Sequence, residues 1–482
     1  MADLDPEEFR RLGRQVVDWI ADYRAGLGER PVRPAVEPGS VRAELDKPLP
    51  ELPGELSGLL AELDRVVVPA STHWQHPRFF GFFPANASLH SLLGDMLSGG
   101  LGAQGMLWST SPAATEVEQA LLDALADELG LDPAFTFAGG GGGVIQDSAS
   151  SAALVALLAA LHRARPDWRE RGVDGRERVY VTAETHSSLA KAVRVAGLGE
   201  RALRVVDTDP TTLAMDPGAL AADLAADVAA GLVPVLVCAT VGTTGTGAVD
   251  PVRAVAAAVA TTAPTAWLHV DAAWAGVAGL CPEHRHLLDG VELADSFCTD
   301  AHKWLLTAFD ASLLWVREAH ALPAALSITP EYLRDAASES ARVVDYRDWQ
   351  VPLGRRFRAL KLWTVLHGMG LSGVREHLRG HVALAGELAG WVRDDPGFEL
   401  AAEPSLALVC LRVATDRGPD ADDAATRSVL ERVNATGRAL VTHTTVRGRY
   451  VLRVAIGSVG TRDGDVAELW ELLRAEAGAV RG

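Results

Sequence analysis

The chain has 482 residues, of which 48% are hydrophobic and 22% are charged, and this composition is typical of globular proteins. Its length exceeds what one compact core usually holds, so two or three domains are expected. A net charge of −18 at pH 7 argues against a nucleic-acid-binding protein, and no uninterrupted apolar run is long enough to span a membrane.

The cysteines and the first residues indicate a cytoplasmic protein. The cysteines are widely spaced and form no C-x-x-C pair; they are Cys238, Cys281, Cys298 and Cys410. This spacing argues against a zinc ribbon or a disulfide scaffold and fits a reducing compartment. The opening stretch MADLDPEEFRR is acidic and polar, unlike a secretory signal.

An amphipathic helix is predicted near the amino terminus, within an N-terminal helical segment of residues 1–88. Asp5 can cap this helix, Pro6 suits its first position, and Glu8 would complete a capping box. Apolar side chains then share one helical stripe; they are Phe9, Leu12, Val16, Trp19, Ile20 and Tyr23. A segment this short cannot bury the stripe alone, so we expect it to pack against the main body or a partner subunit.

Strand-like and helical patterns alternate from residue 89 to residue 370. The strand candidates are RVYVTA, LRVVD, VPVLVCATV, AWLHVD, SFCTD and SLLWV. This alternation predicts an α/β fold whose large domain, residues 89–370, has a mostly parallel sheet covered by helices. A smaller C-terminal α/β domain, residues 371–482, is predicted from a long helical stretch and the strand-like runs LALVCLRV and YVLRVAI. Ligands of such sheets bind beyond the carboxyl ends of the strands.

A glycine run follows the strand-like stretch FTFA, and QDSASSAALVALL then opens a helix. Glycines allow close backbone approach, and Ser148, Ala149 and Ser150 at a helix amino terminus could hold an anion. The alternative is a flexible loop in which Ser148 is an ordinary cap. The run has neither a Walker lysine nor the G-x-G-x-x-G spacing, so a phosphate held in another way remains the functional interpretation.

Further polar residues follow the predicted strands. His186 comes after YVTAE, Thr244 comes after VPVLVCATVGT, and Asp271 ends AWLHVD. His186 could stack on a flat ring or take a proton, and a buried Asp271 needs a partner such as a pyridinium nitrogen. Taken singly, each has a structural alternative: a satisfied histidine, an ordinary Gly/Thr turn, and a helix cap or ion pair.

Lys303 lies between apolar segments in CTDAHKWLLTAFD, where a lysine is costly to bury. A lysine in such a place usually packs its stem and keeps its ammonium in water. Desolvation would instead lower its pKa and free the amine for a covalent bond with a carbonyl carbon. A phosphate cradle, a histidine, an acid after one strand and a lysine after the next favour this second interpretation when they occur together.

Longer strings give the chain a family likeness that runs nearly end to end. The chain resembles the pyridoxal-phosphate (PLP) dependent group II decarboxylases, in particular the aromatic L-amino acid decarboxylases. The likeness is close in THWQHPRFFGFFPA, WSTSPAATEVE, WLHVDAAWAG, CPEHRHLLDGVELADSF, HKWLL and DYRDWQVPLGRRFRALKLW. It implies a type I PLP-dependent (aspartate aminotransferase-like) fold, PLP as the cofactor, a small-molecule amino acid substrate, and a homodimer with its sites at the subunit interface.

The resemblance implies roles residue by residue. Lys303 is similar to the lysine that binds the cofactor aldehyde, Asp271 to the acid beside the pyridine nitrogen, and His186 to the imidazole stacked on the ring. Tyr332, in TPEYLRDAASES, matches the catalytic-loop tyrosine that gives a proton to the substrate α-carbon. The residues expected to bind the cofactor are Ser148, Ala149, Ser150, His186, Thr244, Asp271, Ala273, His302 and Lys303.

An apolar slot for an aromatic ring follows from the same resemblance. In the family, the segment that holds Gln104 and Met106 enters the pocket of the partner subunit, and Gly354 would leave room for an indole. The expected substrate-binding residues are Trp74, Phe82, Phe83, Pro84, Gln104, Met106, Phe309, Leu353 and Gly354.

The sequence also departs from the family pattern. Asp147 and Ser151 stand where the family usually has glycine and glutamate, and Asp300 stands where asparagine is common. An extra acid near a phosphate is unfavourable, so Asp300 is not counted as a phosphate ligand. Phe82 stands where animal relatives often have tyrosine.

The predicted function is PLP-dependent decarboxylation of an aromatic L-amino acid to its amine and carbon dioxide, with tryptophan as the first candidate, then phenylalanine or tyrosine. One alternative is an aromatic acetaldehyde synthase, which consumes oxygen and releases peroxide; such relatives typically replace the residue at Tyr332 or at His186, and both are present. A decarboxylase of a non-aromatic amino acid and a PLP-binding protein without catalysis are further alternatives. No metal is expected, because EHRH, with His284 and His286, is not an H-E-x-x-H helix.

Overall fold

A computed structural model describes residues 3–46, 51–52, 54–328 and 343–481. Its strands are β1 Gly142–Gln146, β2 Glu177–Thr182, β3 Leu203–Val206, β4 Val233–Thr240, β5 Trp267–Asp271, β6 Ser296–Asp300, β7 Ser312–Val316, β8 Phe398–Leu400, β9 Leu408–Val413, β10 Thr442–Val446 and β11 Arg449–Ala455. Its helices are α1 Pro6–Ala25, α2 Ser40–Leu45, α3 Leu56–Glu62, α4 Leu89–Leu101, α5 Pro112–Leu129, α6 Ala149–Ala164, α7 Trp168–Arg171, α8 Ser187–Val195, α9 Pro217–Ala229, α10 Val252–Thr262, α11 Ala321–Leu326, α12 Ala359–Asp394, α13 Pro419–Ala435 and α14 Asp463–Arg481.

The larger sheet has seven strands in the order β1-β7-β6-β5-β4-β2-β3. Strand β7 is antiparallel to β1 and to β6, and the other neighbouring pairs are parallel. All residues of β1, β5, β6 and β7 are buried, as expected of strands covered by helices on both faces. The predicted α/β fold of the type I PLP-dependent class, with its mostly parallel sheet, is confirmed.

Successive residues of a strand point to opposite faces of this sheet. Val144 and Val181 belong to a cluster that also holds residues of α6, α8 and α11. Ile145 and Tyr180 belong to a second cluster, which holds residues of α5, α9 and α10 and continues into α12. The hydrophobic core is therefore split into two layers by the sheet.

The strand-like stretch FTFA is not a strand, and the glycine run after it is part turn and part strand. FTFA belongs to a short 3-10 helix and a turn, and the strand is GGVIQ, which begins inside the glycine run. A Cβ on Gly142 would lie 2.5 Å from the ring of Phe137, and a Cβ on Gly143 would lie 2.9 Å from Leu122. These glycines are needed because side chains pack directly onto the backbone of β1.

The smaller sheet has four antiparallel strands in the order β10-β11-β9-β8. Residues of α13 and α14 share its hydrophobic core. The long helix α12 bends at Gly370, where φ is 64°, next to the predicted boundary between the large domain and the C-terminal domain. The three predicted domain limits stay predictions.

The amino-terminal helix α1 begins as predicted, but its capping box is incomplete. Oδ1 of Asp5 accepts hydrogen bonds from the N–H groups of Glu7 and Glu8 at 2.9 and 3.0 Å. The Glu8 carboxylate pairs with Arg11 instead of reaching back to the cap. No residue of α1 is buried, and Phe9 is 65% exposed.

Within the described ranges, no helix is both long and apolar enough to cross a membrane.

Candidate active site

A cavity of about 220 Å³ lies beyond the carboxyl ends of β4, β5 and β6. This is the edge at which the sequence predicts a ligand of a parallel sheet. Every residue expected to bind the cofactor lines this cavity. The lining residues are Phe83, Ser148, Ala149, Ser150, His186, Thr240, Gly242, Thr244, Asp271, Ala273, Trp274, Asp300, His302 and Lys303.

Lys303 lies in the turn after β6 and pairs with a buried acid. Its Nζ is 2.8 Å from Oδ2 of Asp300, and its side chain is 25% exposed. Burial is the largest single influence and lowers the pKa of Lys303, but Asp300, followed by Asp271 and Cys298, raises it, and together they place the net pKa above its ordinary value. Desolvation acts in the direction that the sequence predicts, but the expected net lowering of this pKa is wrong, because an acid three residues earlier holds the ammonium.

Asp300 faces His302 as well as the lysine. Nε2 of His302 is 3.5 Å from the same Oδ2, and its Nδ1 accepts a hydrogen bond from the N–H of Ala311 at 3.0 Å. Because Nδ1 is the acceptor, the proton of the neutral ring lies on Nε2, towards Asp300. Burial raises the pKa of Asp300, whereas Lys303 and His302 lower it, and the net shift is downward. Asp300 is therefore ionised and acts on Lys303.

Asp271 ends β5 and is 8% exposed. Its Oδ1 accepts a hydrogen bond from the N–H of Ala273 at 3.0 Å, and the carbonyl of Ala273 accepts one from the N–H of Asp300 at 2.8 Å. These bonds join the ends of β5 and β6. The two acids therefore stand at neighbouring strand ends, on one side of the same cavity.

His186 caps the amino terminus of α8. Its Nδ1 accepts a hydrogen bond from the N–H of Ser188 at 3.3 Å and lies 2.9 Å from the Ser188 hydroxyl. The proton of the neutral ring therefore lies on Nε2. Surrounding protein atoms desolvate the imidazole and lower the pKa of His186, so the ring is neutral near pH 7.

The amino terminus of α6 lies at the cavity wall. Oγ of Ser148 accepts a hydrogen bond from the N–H of Ser151 at 3.3 Å and donates one to Asp147 at 2.9 Å. The N–H groups of the first helical turn have no acceptor within the helix, and the helix dipole favours an anion there. Ser148 is thus a helix cap, as the structural alternative expects, and the anion site at this helix end stays a prediction.

The turn that contains Lys303 is held by a strap, residues 79–91. The side-chain amide of Asn86 donates to the carbonyl of Lys303 at 2.6 Å and to that of Gly457 at 2.8 Å. The N–H of Asn86 donates to the carbonyl of His302 at 3.0 Å. Asn86 is 1% exposed. It therefore fixes the lysine backbone against the loop that follows β11, and no sequence signal singled it out.

Aromatic rings cover another wall of the cavity. Phe83 stacks on Trp274, with ring centroids 4.4 Å apart, and the guanidinium carbon of Arg453 lies 4.3 Å from the Phe83 centroid. Arg453 donates to the carbonyl of Phe82 and to that of Thr244 at 2.8 Å. Burial lowers the pKa of Arg453 to about 10. This buried cation from β11 was not identified from sequence.

Thr240 and Gly242 line the cavity but were not predicted. Thr240 ends β4 as Asp271 ends β5, so the rule that ligands lie beyond strand ends could have identified it. Its Oγ1 is buried without a hydrogen-bond partner among the described residues. At Gly242, φ is 87°, and a Cβ would lie 2.5 Å from that of Ala275, so glycine brings the backbone close to the site.

The predicted substrate residues fall into separate groups. Phe83 lines the 220 Å³ cavity, and Trp74 and Phe82 line an adjoining cavity of about 770 Å³, which also borders His186 and Thr244. Pro84 is buried, and the ring of Phe309 lies 4.8 Å from that of His302.

Six of the expected substrate residues line neither of these two cavities of the described chain; they are Pro84, Gln104, Met106, Phe309, Leu353 and Gly354. Oε1 of Gln104 accepts a hydrogen bond from the N–H of Arg355 at 2.8 Å, next to Gly354 and Leu353. Tyr332 lies outside the described residues.

The described parts of the chain contain no candidate metal site. No group of three or more His, Cys, Asp or Glu side chains is placed there to hold a metal ion.

Comparison with known proteins gives matches over the whole chain. The model of the pyridoxal-dependent decarboxylase conserved domain matches residues 38–414. Phenylacetaldehyde synthase of Arabidopsis thaliana is 43% identical, over 98% of this chain and 96% of that protein. Tyrosine decarboxylase of Oryza sativa subsp. japonica is 44% identical, over 99% of this chain and 92% of that protein. The crystal structure of Oryza sativa TDC with PLP and tryptamine superposes with a TM-score of 0.97, at 42% identity and full coverage of both chains.

Proposed function

Because the chain belongs to the pyridoxal-dependent decarboxylase family, we propose that it decarboxylates an aromatic L-amino acid to the corresponding amine and carbon dioxide. It is a PLP-dependent enzyme and a carboxy-lyase. The observation that carries the proposal is the arrangement of Lys303, Asp271 and His186 around one 220 Å³ cavity with a helix terminus at its wall.

The residues of the cavity fit PLP in size and chemistry. The amino terminus of α6, with Ser148 and Ser150, would hold the phosphate, and His186 would lie against the ring. Asp271 would pair with the pyridine nitrogen, and the buried, unpartnered Oγ1 of Thr240 offers a further polar contact. Lys303 is the amine that reaches into this cavity. When bound, PLP accepts the electrons that remain on the substrate as carbon dioxide leaves.

The protein's own groups then control charge and protons. Asp271 would favour the protonated form of the pyridine nitrogen, since an adjacent carboxylate stabilises a cation. Asp300 holds the Lys303 ammonium at 2.8 Å, so the lysine must lose its proton before its amine can react. Tyr332 would give a proton to the substrate α-carbon; this role rests on the resemblance alone.

An aromatic side chain is the substrate group that the adjoining 770 Å³ cavity suits best. Its lining includes the ring of Trp74, which stacks on Phe82 with centroids 5.5 Å apart and an interplanar angle of 21°. Flat aromatic walls favour a flat ring by stacking. Tryptophan is our first candidate, because tryptamine is present in the superposed plant structure. Phenylalanine and tyrosine come next.

A homodimer would cover apolar side chains that one chain leaves exposed. On α4 these are Leu89, Leu93, Met96, Leu97 and Leu101, each at least half exposed, and on α1 Phe9 is 65% exposed. Exposed apolar patches of this kind mark contact surfaces. We place the protein in the cytoplasm, because its four cysteines are free and buried.

Mass spectrometry of the products tests the proposed reaction. Protein loaded with PLP is incubated with L-tryptophan, L-phenylalanine, L-tyrosine and, separately, acidic and basic amino acids. The expected product is an aromatic amine, and Lys303→Ala is the control that should form none. An amine from an acidic or basic amino acid alone would refute the aromatic substrate class.

An aromatic acetaldehyde synthase is the second candidate, because a phenylacetaldehyde synthase is 43% identical to the chain. Tyr332 and His186 favour amine formation, since a proton donor at the α-carbon leads to the amine. Peroxide is measured beside the amine, in the protein and in Tyr332→Phe. We expect little peroxide from the unaltered protein and a shift to aldehyde and peroxide in the variant. Stoichiometric peroxide from the unaltered protein would establish the synthase.

A further inference from the structure

A chain of buried polar side chains lies behind Asp271, away from the cavity. Trp267, His269 and Asp271 alternate along β5, and Ser296 and Cys298 alternate along β6. The two strands pair in parallel, with His269 opposite Ser296 and Asp271 opposite Cys298. The four side chains other than Asp271 are at most 1% exposed. The polar groups therefore zigzag between two strands, in a layer closed to water.

The hydrogen bonds of this chain run in one direction. Nε1–H of Trp267 donates to Oγ of Ser296 at 2.7 Å, and Oγ of Ser296 lies 2.8 Å from Nδ1 of His269. The indole N–H occupies one acceptor site of the hydroxyl and leaves the serine proton free, and we assign that proton to Nδ1 of His269, which places the ring proton on Nε2. Nε2–H of His269 then faces Sγ of Cys298 at 3.8 Å, and the thiol donates to Oδ1 of Asp271 at 3.8 Å.

The protonation states agree with this direction. Burial lowers the pKa of His269 to about 4, so the imidazole is neutral and has one proton to donate. Burial raises the pKa of the Cys298 thiol well above its usual range. The thiol therefore stays protonated and can donate a hydrogen bond to Asp271. Each bond in a one-way chain polarises the next.

We propose that these four side chains form a relay that stabilises the Asp271 carboxylate and so keeps the shared proton on the pyridine nitrogen. The relay residues are positioning residues, because none of them lines the cavity. A hydrogen-bond donor to the charged form of an acid favours that form. Without it, the pair moves from carboxylate and pyridinium towards carboxylic acid and neutral pyridine. The inference rests on the proposed role of Asp271 and adds the groups that act through it.

Nitrogen NMR of protein loaded with PLP that is labelled with ¹⁵N in its ring tests the relay. Cys298→Ala removes the last donor, and we expect the ratio of pyridinium to neutral pyridine to fall about threefold to tenfold. This is less than a full hydrogen bond to a charged group would give, because sulfur donates weakly. Cys298→Ser restores a donor and should return the nitrogen signal towards its original position. The PLP dissociation constant, measured on the same proteins, should rise in Cys298→Ala and recover in Cys298→Ser.

Cys281→Ala is the matched control, because Cys281 is also a fully buried thiol and contacts the carbonyl of Arg375 instead. We expect its nitrogen signal to be unchanged. If Cys298→Ala does not fold, Ser296→Ala carries the test, with a smaller shift in the same direction. An unchanged signal in Cys298→Ala, or in Ser296→Ala when that variant carries the test, would overturn the relay, as would an equal change in Cys281→Ala. Asp271→Asn separates the two proposals: if it leaves the signal unchanged, the role of Asp271 itself is refuted.

Discussion

Replacing Asp300 by asparagine should make the Lys303 amine reactive at lower pH. The two groups are 2.8 Å apart, and their gross attraction is about 6 kcal/mol at an effective dielectric constant of about 20. The cost of desolvating both charges offsets most of this, and a hydrogen bond between charged groups contributes about 1.5–3 kcal/mol net. Asp300→Asn should therefore lower the pKa of Lys303. At a pH well below that pKa, the fraction of neutral amine should rise about tenfold to a hundredfold, since 1.36 kcal/mol corresponds to a factor of ten.

The rate of covalent attachment of PLP reports this change, because only the neutral amine attacks the cofactor aldehyde. Protein freed of PLP is mixed with the cofactor over a range of pH, and the absorbance change is followed in time. We expect the rate profile of Asp300→Asn to move towards lower pH, so that at a pH well below the lysine pKa the variant reacts about tenfold to a hundredfold faster than the unaltered protein. Asp310→Asn is the control, because Asp310 lies in the same region but pairs with Arg358. A profile that stays in place, or moves to higher pH, would refute the role of the Asp300–Lys303 pair.

Three further outcomes are expected. Asn86→Ala removes a side chain that donates hydrogen bonds to the carbonyls of Lys303 and Gly457. It should lower the free energy of unfolding by about 3 kcal/mol and weaken PLP binding. The control Asn434→Ala breaks two hydrogen bonds to Val441 and should lower stability without changing PLP affinity. Burial lowers the pKa of His76 to about 4, against about 6.5 in the unfolded chain, so the unfolded state binds the proton first as the pH falls. The free energy of unfolding should therefore fall by up to about 1.4 kcal/mol per pH unit between pH 6.5 and pH 4. Denaturant titration should find this loss reduced in His76→Gln and absent above pH 6.5. Trp74→Ala should raise KM for aromatic amino acids about tenfold with little change in kcat, and an unchanged KM would place the ring elsewhere.

The fold could be predicted from sequence because most strands of the larger sheet give a clear pattern of apolar residues. Strands β4, β5, β6 and β7 are buried on both faces and appear in the sequence as short apolar runs bounded by polar residues. Strand β1 was missed, because two of its five residues are glycines and glycine is unfavourable in strands. Its conformation is set by the side chains of Phe137 and Leu122 that pack on it, and such contacts are not visible in a local pattern.

Candidate site residues could be predicted from sequence where they lie directly at or after the carboxyl end of a predicted strand. Asp271 and Lys303 were identified in this way, and the same rule applied to β4 would have added Thr240. The strap residue Asn86 and the β11 residue Arg453 could not be found, because they reach the site across 217 and 209 residues of sequence, through hydrogen bonds to Lys303 and Thr244. The direction of the Lys303 pKa shift could not be predicted from sequence either. Burial and the Asp300 carboxylate act in opposite directions, and the sequence does not give the distance between the Lys303 ammonium and that carboxylate.

Release of carbon dioxide from carboxyl-labelled amino acids tests the central claim most directly. Protein loaded with PLP is given L-tryptophan, L-phenylalanine or L-tyrosine with a labelled carboxyl carbon, beside labelled L-glutamate, and the gas and amine are counted together. The account predicts labelled carbon dioxide and amine in equal amounts from at least one aromatic substrate, and neither from Lys303→Ala. Absence of labelled gas from all three aromatic amino acids, in protein shown to hold PLP, would contradict it.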